Sequence, residues 1–298
     1  MPGRIRIGTC SWTDPTLIRA GTFYPPEARS AEARLSYYAG QFDIVEVDSS
    51  YYAMPSRRNA TLWAERTPED FVFDIKAFRL FTGHPTQPQA LPADIRGALP
   101  EGVGQKKNLY YRDVPAELQR QLWSRFEDAL LPLDSAGKLG VVLLQFPPWF
   151  HPGTEQMDHI LACKEYLAPH TAAVEFRNNR WLSEQSRGAT LAFLRQHRLP
   201  LVCVDEPQGF ASSVPPLAEV TADVAVIRFH GRKSEAWESK SVSPADRFDY
   251  YYDAEELHPW VERINGCAEG ASDVHVLFNT NNGDQGVVNA RLMARLLL

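Results

Sequence analysis

The sequence predicts an α/β protein built as a single (β/α)8 barrel, a TIM barrel, over residues 1–298. Short runs of β-branched residues alternate with longer stretches of helical period, as in the βα units of a parallel sheet. Eight such runs occur along the 298 residues, and eight parallel strands are the number that closes this kind of barrel. Several runs are apolar almost throughout, which is typical of strands that helices cover on both faces.

The eight predicted strands leave room for a helix after most of them. They cover residues 5–8, 42–47, 71–76, 141–145, 172–176, 201–204, 224–229 and 274–278. Helical period is clearest between the third and fourth strands, where apolar residues recur every four positions and form one stripe. The stripe consists of Leu118, Leu122, Phe126 and Leu130.

Two further helices are indicated near the end of the chain. Asp253 and Glu256 have the spacing of a capping box, in which two side chains satisfy the free N–H groups of a helix start. Pro259 then falls close to that start or bends the helix. The run 287–298 predicts a last helix packed on the barrel.

One interval is too long for a plain crossover. After the third strand, residues 83–114 are rich in proline and glycine and predict an elaborated, inserted loop. Loops of this length are often lids or binding loops. Lys106, Lys107, Tyr110 and Arg112 make it basic and aromatic, which fits contact with an anionic or planar ligand and equally a solvated cover over helix ends.

Composition excludes several classes of protein. Apolar residues make up 44% and charged residues 23%, which excludes disordered, collagen-like and coiled-coil chains. The 31 Lys and Arg against 37 Asp and Glu give a net charge of −6, so a nucleic acid partner is not favoured without a local basic patch. The four cysteines stand singly, and no apolar stretch is long enough to span a membrane. We expect a cytoplasmic protein, with its oligomeric state left open.

Polar side chains stand where the predicted strands end. Because the carboxyl ends of the strands meet at one face of such a barrel, we expect a ring of these side chains around its mouth and a ligand site within the ring. The first half of the ring comprises Ser11, Trp12, Glu46, Asp48, Tyr52, Lys76, His84 and Gln145. The second half comprises Glu175, Arg177, Asp205, Arg228, His230, Arg232, Asn279 and Asn281.

Eight short motifs occur in a fixed order along nearly the whole chain. They are GTCSW at 8–12, FYP at 23–25, VEVDSSYY at 45–52, residues 73–76 with His84, LQFPP at 144–148, VEFR at 174–177, RFHGR at 228–232 and FN at 278–279. In this order they resemble the domain of unknown function 72 family, the YecE-like proteins, which implies a TIM barrel without a settled activity. Two departures bear on substrate selection. Asp48 stands where that family usually has Asn, and residues 83–112 are longer than the family's loop.

Four residues of the ring are the candidate catalytic groups. Glu175, Glu46 and His230 suit proton transfer, because strand-end carboxylates and imidazole can act as general acid and base. Lys76 suits holding an anion or stabilising negative charge that develops during a reaction. A structural alternative stays open, in which Glu46 pairs with Lys76 and Glu175 pairs with a neighbouring arginine, so that charges are only neutralised.

The remaining ring residues are candidate substrate-binding groups. Arg177, Arg228 and Arg232 offer guanidinium forks that match a carboxylate or phosphate. The loop 279–286 precedes the last helix, so we expect an anion between Arg228, Arg232 and this loop. Trp12 and Tyr52 could stack on a ring of the ligand.

The leading functional prediction is an enzyme that performs acid/base or hydrolytic chemistry on a small phosphorylated or carboxylated compound, as a hydrolase, lyase or isomerase. A second hypothesis is a Mg²⁺- or Mn²⁺-dependent phosphodiesterase or endonuclease-like enzyme, because Glu46, Asp48, Glu175 and Asp205 would offer hard oxygen ligands. A third is a non-catalytic protein that binds an anionic ligand. The leading hypothesis requires no metal ligands and no cofactor.

Overall fold

The computed structural model describes residues 1–239 and 244–298, and in that part of the chain eight parallel strands form a nearly closed barrel. The strands are β1 (Arg4–Thr9), β2 (Ile44–Val47), β3 (Val72–Lys76), β4 (Leu139–Gln145), β5 (Thr171–Glu175), β6 (Val202–Asp205), β7 (Val224–Phe229) and β8 (Asp273–Phe278). They pair in the order β5-β4-β3-β2-β1-β8-β7-β6. The predicted single TIM barrel is confirmed, and each predicted run overlaps one strand, with ends that differ by at most two residues.

The barrel is weakest between β5 and β6. The described residues join these two strands through one parallel bridge, Val174 with Leu201, in which the Val174 N–H donates to Pro200 O at 2.8 Å. By contrast, β1 and β8 pair over six residues each. The seam between β5 and β6 is therefore the place where the sheet is least held by its backbone.

Helices surround the strands in the described residues. They are α1 (Pro15–Ala20), α2 (Ala31–Ala39), α3 (Arg57–Glu65), α4 (Ala93–Gly97), α5 (Ala116–Ser135), α6 (Thr154–Leu167), α7 (Arg187–Gln196), α8 (Pro244–Arg247), α9 (Ala254–Gly270) and α10 (Gln285–Leu296). Within the described ranges, none of these helices is both long and apolar enough to cross a membrane.

The local sequence accounts for the longest helices. The predicted apolar stripe of α5 is buried against the barrel along its whole length. At the start of α9 the capping box forms as predicted, because the Glu256 N–H donates to Asp253 Oδ1 at 2.9 Å and the Asp253 N–H donates to Glu256 Oε2 at 3.1 Å. Pro259 lies inside this helix, in its second turn.

The inserted loop after β3 is more ordered than its composition suggests. It contains α4 and two single turns of 3-10 helix, Pro88–Ala90 and Tyr111–Asp113. An antiparallel bridge between Thr86 and Leu109 closes its base. Leu91, Ile95 and Leu109 are buried and join the main hydrophobic core, so the loop forms a fixed wall beside the mouth.

The end of the barrel opposite the mouth contains a buried ion pair. Asp74 Oδ2 lies 2.9 Å from His275 Nδ1, and both side chains are buried. Asp74 Oδ1 accepts from the Val141 N–H at 2.8 Å, at a point where the register between β3 and β4 shifts. Gly140 makes this close approach possible, because a Cβ there would lie 2.2 Å from Asp74 Oδ1.

Candidate functional site

The centre of the barrel mouth is occupied by one arginine between two carboxylates. Arg228, at the end of β7, donates from Nη1 to Glu175 Oε2 at 2.5 Å and from Nη2 to Glu46 Oε1 at 2.8 Å. All three side chains are fully buried. Strand ends from β2, β5 and β7 thus converge on the barrel axis, and Glu46 and Glu175 lie on the same face of the sheet.

The two carboxylates differ in their tendency to bind a proton. Burial alone would raise the pKa of Glu175, but Arg228, with His230 and Arg177, holds it well below its usual range. Burial raises the pKa of Glu46 to about 7, although Arg228 and Lys76 oppose that rise. Glu175 is therefore a fixed negative charge, whereas Glu46 exchanges a proton near neutral pH.

His230 is a neutral hydrogen-bonding group in this arrangement. Burial lowers its pKa to about 3, although Glu175 favours the charged form. Its Nε2 lies 3.3 Å from Glu175 Oε1, and its Nδ1 lies 3.0 Å from the Asn279 amide nitrogen. A neutral ring that donates from Nε2 and accepts at Nδ1 satisfies both neighbours. His230 thus orients Glu175, and a proton-carrying role for it at neutral pH does not fit this pKa.

The rim above this centre is formed by Arg177 and Glu206, which face each other across the β5–β6 seam. Arg177 Nη1 lies 3.3 Å from Glu175 Oε1 and 3.1 Å from Glu206 Oε2. The guanidinium packs over the Trp237 ring at 4.6 Å. With 14% of its side chain exposed, Arg177 connects the buried centre with the solvent.

The two carboxylate oxygens of Glu206 differ in their contacts, since one accepts a hydrogen bond and the other is held only by the ion pair with Arg177. Its Oε1 accepts from the Val214 N–H at 2.7 Å, whereas Oε2 accepts no hydrogen bond within the described residues. Burial raises its pKa to about 7, and Arg177 opposes the rise. The indole N–H of Trp237 is likewise buried without an acceptor in the described part of the chain. Such unpaired groups in one place are typical of a position that a ligand or water completes.

A second wall of the mouth is made by β2 and β3. Lys76 Nζ donates to Asp48 Oδ1 at 2.7 Å and lies 4.6 Å from the Tyr51 ring centre. His84 contacts the same Tyr51 ring at 5.3 Å, and burial lowers its pKa to about 3, with Lys76, Arg79 and Arg177 adding to the shift. Lys76 thus pairs with Asp48 rather than with Glu46. Gln145 completes the wall by donating to Glu175 Oε1 at 2.6 Å.

Asp205 and Arg232 do not join the central group, and their expected position on the mouth needs correction. Asp205 turns outward from the barrel and accepts from Tyr252 Oη at 2.7 Å and Trp260 Nε1 at 2.8 Å. Arg232 forms two hydrogen bonds to the same carboxylate, at 2.9 and 2.7 Å. The reason is the alternation of side chains along a strand, which gives the inward position to Glu206 and the outward one to Asp205.

The expected anion site beside α10 is not open in the structure. The space between Ser11, Asn281 and the start of α10 measures about 10 Å³, which holds one water and no phosphate. Both terminal nitrogens of Arg228 are bound by Glu175 and Glu46, and Arg232 is paired with Asp205. Neither guanidinium is free to reach this loop.

Two aromatic residues of the predicted ring differ in their placement. Trp12 is buried and packs edge-on against Trp63 at 5.6 Å and Phe73 at 6.3 Å, so it belongs to the core between barrel and helices. Tyr52 is 52% exposed and contacts Tyr51 at the outer edge of the mouth. Only Tyr52 has a face available to a ligand.

No three His, Cys, Asp or Glu side chains within residues 1–239 and 244–298 gather in a way that could hold a metal ion. Glu46 and Glu175 each direct an oxygen at Arg228 instead. The geometry thus gives no particular support to the Mg²⁺ or Mn²⁺ hypothesis, which stays a prediction.

Comparison with known proteins gives a consistent result. The family model described as "Protein of unknown function DUF72" matches residues 6–298. The UPF0759 protein YunF of Bacillus subtilis is 32% identical over 297 residues, which are 98% of this chain and 94% of that protein. A solved DUF72 family protein from Thermotoga maritima has a TM-score of 0.75 and 26% identity, covering 99% of each chain. One from Enterococcus faecalis has a TM-score of 0.76 and 24% identity, covering 99% of this chain and 98% of the other.

Proposed function

The chain belongs to the DUF72 family, and we propose that its barrel mouth binds a small carboxylated or phosphorylated compound and performs acid/base chemistry on it. The observation that carries the proposal is the pair of Arg177 and Glu206 at the rim. Arg177 is the cation that a ligand can approach, and its ion-pair partner Glu206 has a pKa of about 7 and one buried oxygen that accepts no hydrogen bond within the described residues. Below them lies a buried charge network that fixes the position of Arg177.

Arg177 is the anion-binding residue of this proposal. Its guanidinium offers a planar fork to a carboxylate or phosphate. Arg228 lies deeper and has both terminal nitrogens engaged by carboxylates, so its role is to hold Glu175 and Glu46 in place. This assigns to Arg177 the role that the sequence distributed over three arginines.

Glu206 is the proton carrier. An anion that binds Arg177 adds negative charge beside Glu206 and raises its pKa further, so Glu206 takes up a proton as the ligand enters. The bound ligand then lies next to a carboxylic acid, the group that general acid catalysis requires. Glu175 stays ionised and, with His230, keeps Arg177 oriented. Acid/base enzymes commonly use carboxyl groups whose pKa lies near the operating pH.

Melting curves of the purified full chain with matched-ionic-strength additives test the proposal. Sulfate, phosphate, acetate and glucuronate should raise the melting temperature more than chloride, because each binds the folded state at Arg177. Arg177→Met should remove this stabilisation. Arg195→Met is the matched control, because Arg195 forms an exposed ion pair with Glu219 on the surface of α7. Anion stabilisation that survives in Arg177→Met would place the site elsewhere, and binding without conversion of any bound compound would favour the non-catalytic alternative.

A further inference from the structure

A groove of about 750 Å³ lies beside the mouth, between the inserted loop and the start of α6. This volume is in the range of small-molecule sites. Its floor and one side are aromatic, with Trp149, Phe150, Tyr110 and Tyr111 among the residues that line it. The chain after β4 supplies the first two residues and the inserted loop supplies the others.

Trp149 is the most distinctive residue of the groove. Its side chain is 54% exposed, which is unusual for an indole, since burying that apolar surface would be favourable. Its ring also lies 6.0 Å from His84, which contacts Tyr51 in the wall of the mouth. His84 thus lies between the groove and the mouth, near enough to Arg177 that this charge adds to the effect of burial on the pKa of His84. A ligand that occupies the groove and also reaches Arg177 would extend past His84.

The opposite side of the groove is polar, with two carboxylates that accept hydrogen bonds and one amide that can both donate and accept them. Glu155, Gln156 and Asp158 come from the first turns of α6, and their side chains have no hydrogen bond or ion pair within the described residues. Carboxylates only accept hydrogen bonds, so the ligand face that meets them must donate. Among the residues that line the groove, the two carboxylates of Glu155 and Asp158 outnumber the one arginine, Arg112, and this net negative charge disfavours the phosphates of a nucleotide chain.

We propose that the groove binds the sugar ring of a ligand whose anionic group lies at Arg177. A sugar ring has an apolar face that can stack on the Trp149 indole and hydroxyls that can donate to Glu155 and Asp158. The inference rests on the proposed function of the mouth and narrows its substrate to sugar acids or sugar phosphates. The inserted loop supplies one side of the groove, with Gly83, Tyr110, Tyr111 and Arg112, and thus selects the sugar.

The test measures dissociation constants of the full-length protein for methyl glucoside, methyl galactoside, methyl mannoside, glucuronate, galacturonate, inorganic phosphate and adenosine 5′-monophosphate. At least one uronic acid should bind about tenfold or more tightly than inorganic phosphate. Trp149→Ala should weaken sugar binding about tenfold, the usual scale of a stacking contact. Tyr251→Ala is the matched control, because Tyr251 is also 54% exposed and lies at α10, away from the groove.

The Asp158→Asn variant distinguishes a sugar from a nucleotide as the ligand of the groove. Removal of the charge should weaken sugar binding and strengthen any binding of adenosine 5′-monophosphate. The inference is overturned if no sugar binds, or if only the nucleotide depends on Trp149. It also fails, while the proposed function survives, if anions bind through Arg177 and Trp149→Ala changes nothing. If sugars bind through Trp149 but Arg177→Met has no effect, the groove is a sugar site and the proposed function of the mouth fails.

Discussion

Arg228 holds two acidic groups that the chain separates widely. Glu46 lies 182 positions and Glu175 lies 53 positions from it in the sequence. A buried arginine is stable only when carboxylates neutralise it and bind its N–H groups. Arg228, Glu46 and Glu175 therefore depend on one another, because removal of any one of them leaves a buried charge uncompensated.

Glu175→Gln should lower the free energy of unfolding by about 3–5 kcal/mol, because Arg228 then retains only Glu46, which is partly protonated near neutral pH. Denaturant unfolding of the variant measures this. Glu117→Gln is a control at an exposed ion pair with Arg120 and should change little. A Glu175→Gln protein that is as stable as wild type but has lost turnover would show that Glu175 is a proton carrier instead of a fixed charge.

Glu206→Gln should alter how stability depends on pH. The folded-state pKa of Glu206 is about 7, above its unfolded value of about 4.5, so its contribution is present at low pH and is lost as pH rises through that window. The Glu206→Gln variant has no titrating carboxyl at this position, so this part of the stability does not fall as pH rises. Its melting temperature relative to wild type should thus rise steadily between pH 4.5 and 7. A constant difference across this range would mean that Glu206 is ionised throughout.

The sequence predicted most of the residues at the mouth, including Arg177, and missed Glu206, to which we assign the proton transfer. Glu46, Lys76, Gln145, Glu175, Arg177, Arg228, His230 and Asn279 all lie there, because the ends of parallel strands are readable from apolar runs. The adjacent acids Asp205 and Glu206 could not be distinguished, since a shift of one residue at a strand end exchanges inside and outside. The contact between Arg228 and Glu46 could not be predicted, because closure of the barrel brings together two residues that are 182 positions apart.

At the scale of elements, β4 shows how a single glycine determines packing. Gly140 lies where β4 has an extra residue relative to β3, and Asp74 from β3 occupies the space in front of it. The Asp74 carboxylate is fixed by the Val141 N–H and by His275. An added methyl group therefore has nowhere to go without breaking this pair.

Gly140→Ala should destabilise the protein by about 3 kcal/mol, the upper end for overpacking. The same substitution at Gly266 is a control with the opposite sign. Gly266 is exposed inside α9, and a Cβ there would meet nothing within 4 Å, so alanine should stabilise by about 1 kcal/mol. Thermal unfolding of the two variants tests both expectations. A Gly140→Ala protein with unchanged stability would contradict the close contact between Gly140 and Asp74.

Helices that are determined by a local sequence pattern could be predicted from the sequence. Structure that depends on tertiary contacts could not. The stripe of α5 and the capping box of α9 require only neighbours in sequence. The inserted loop was predicted to be irregular, as a binding loop or a cover, because it is rich in proline and glycine. Its bridge between Thr86 and Leu109, 23 positions apart, is a contact that composition does not reveal.

At the scale of the whole molecule, the barrel is not equally strong around its circumference. Between β5 and β6 one backbone bridge and the Arg177–Glu206 pair hold the seam, and the proposed site lies on top of it. Functional sites are often placed on the less stable parts of a fold. We therefore expect any opening of the site to occur at the seam, without disturbing the strongly paired side around β1 and β8.

Hydrogen exchange should reveal this asymmetry. The amide of Val174, which donates across the seam to Pro200, should exchange faster than the amides of β1 and β8, which are paired over six residues. An anion at Arg177 should slow the exchange at the seam more than elsewhere. Equal protection around the barrel would remove the structural basis for opening at this place.

The central claim is that an anion at Arg177 drives a proton onto Glu206. Calorimetric titration with sulfate at pH 7, in two buffers of different ionisation enthalpy, counts that proton directly, since sulfate itself does not titrate near this pH. With a pKa of about 7 for Glu206, binding should take up about half a proton in the wild type and almost none in Glu206→Gln. Binding without proton uptake, or the same uptake in both proteins, would contradict the account.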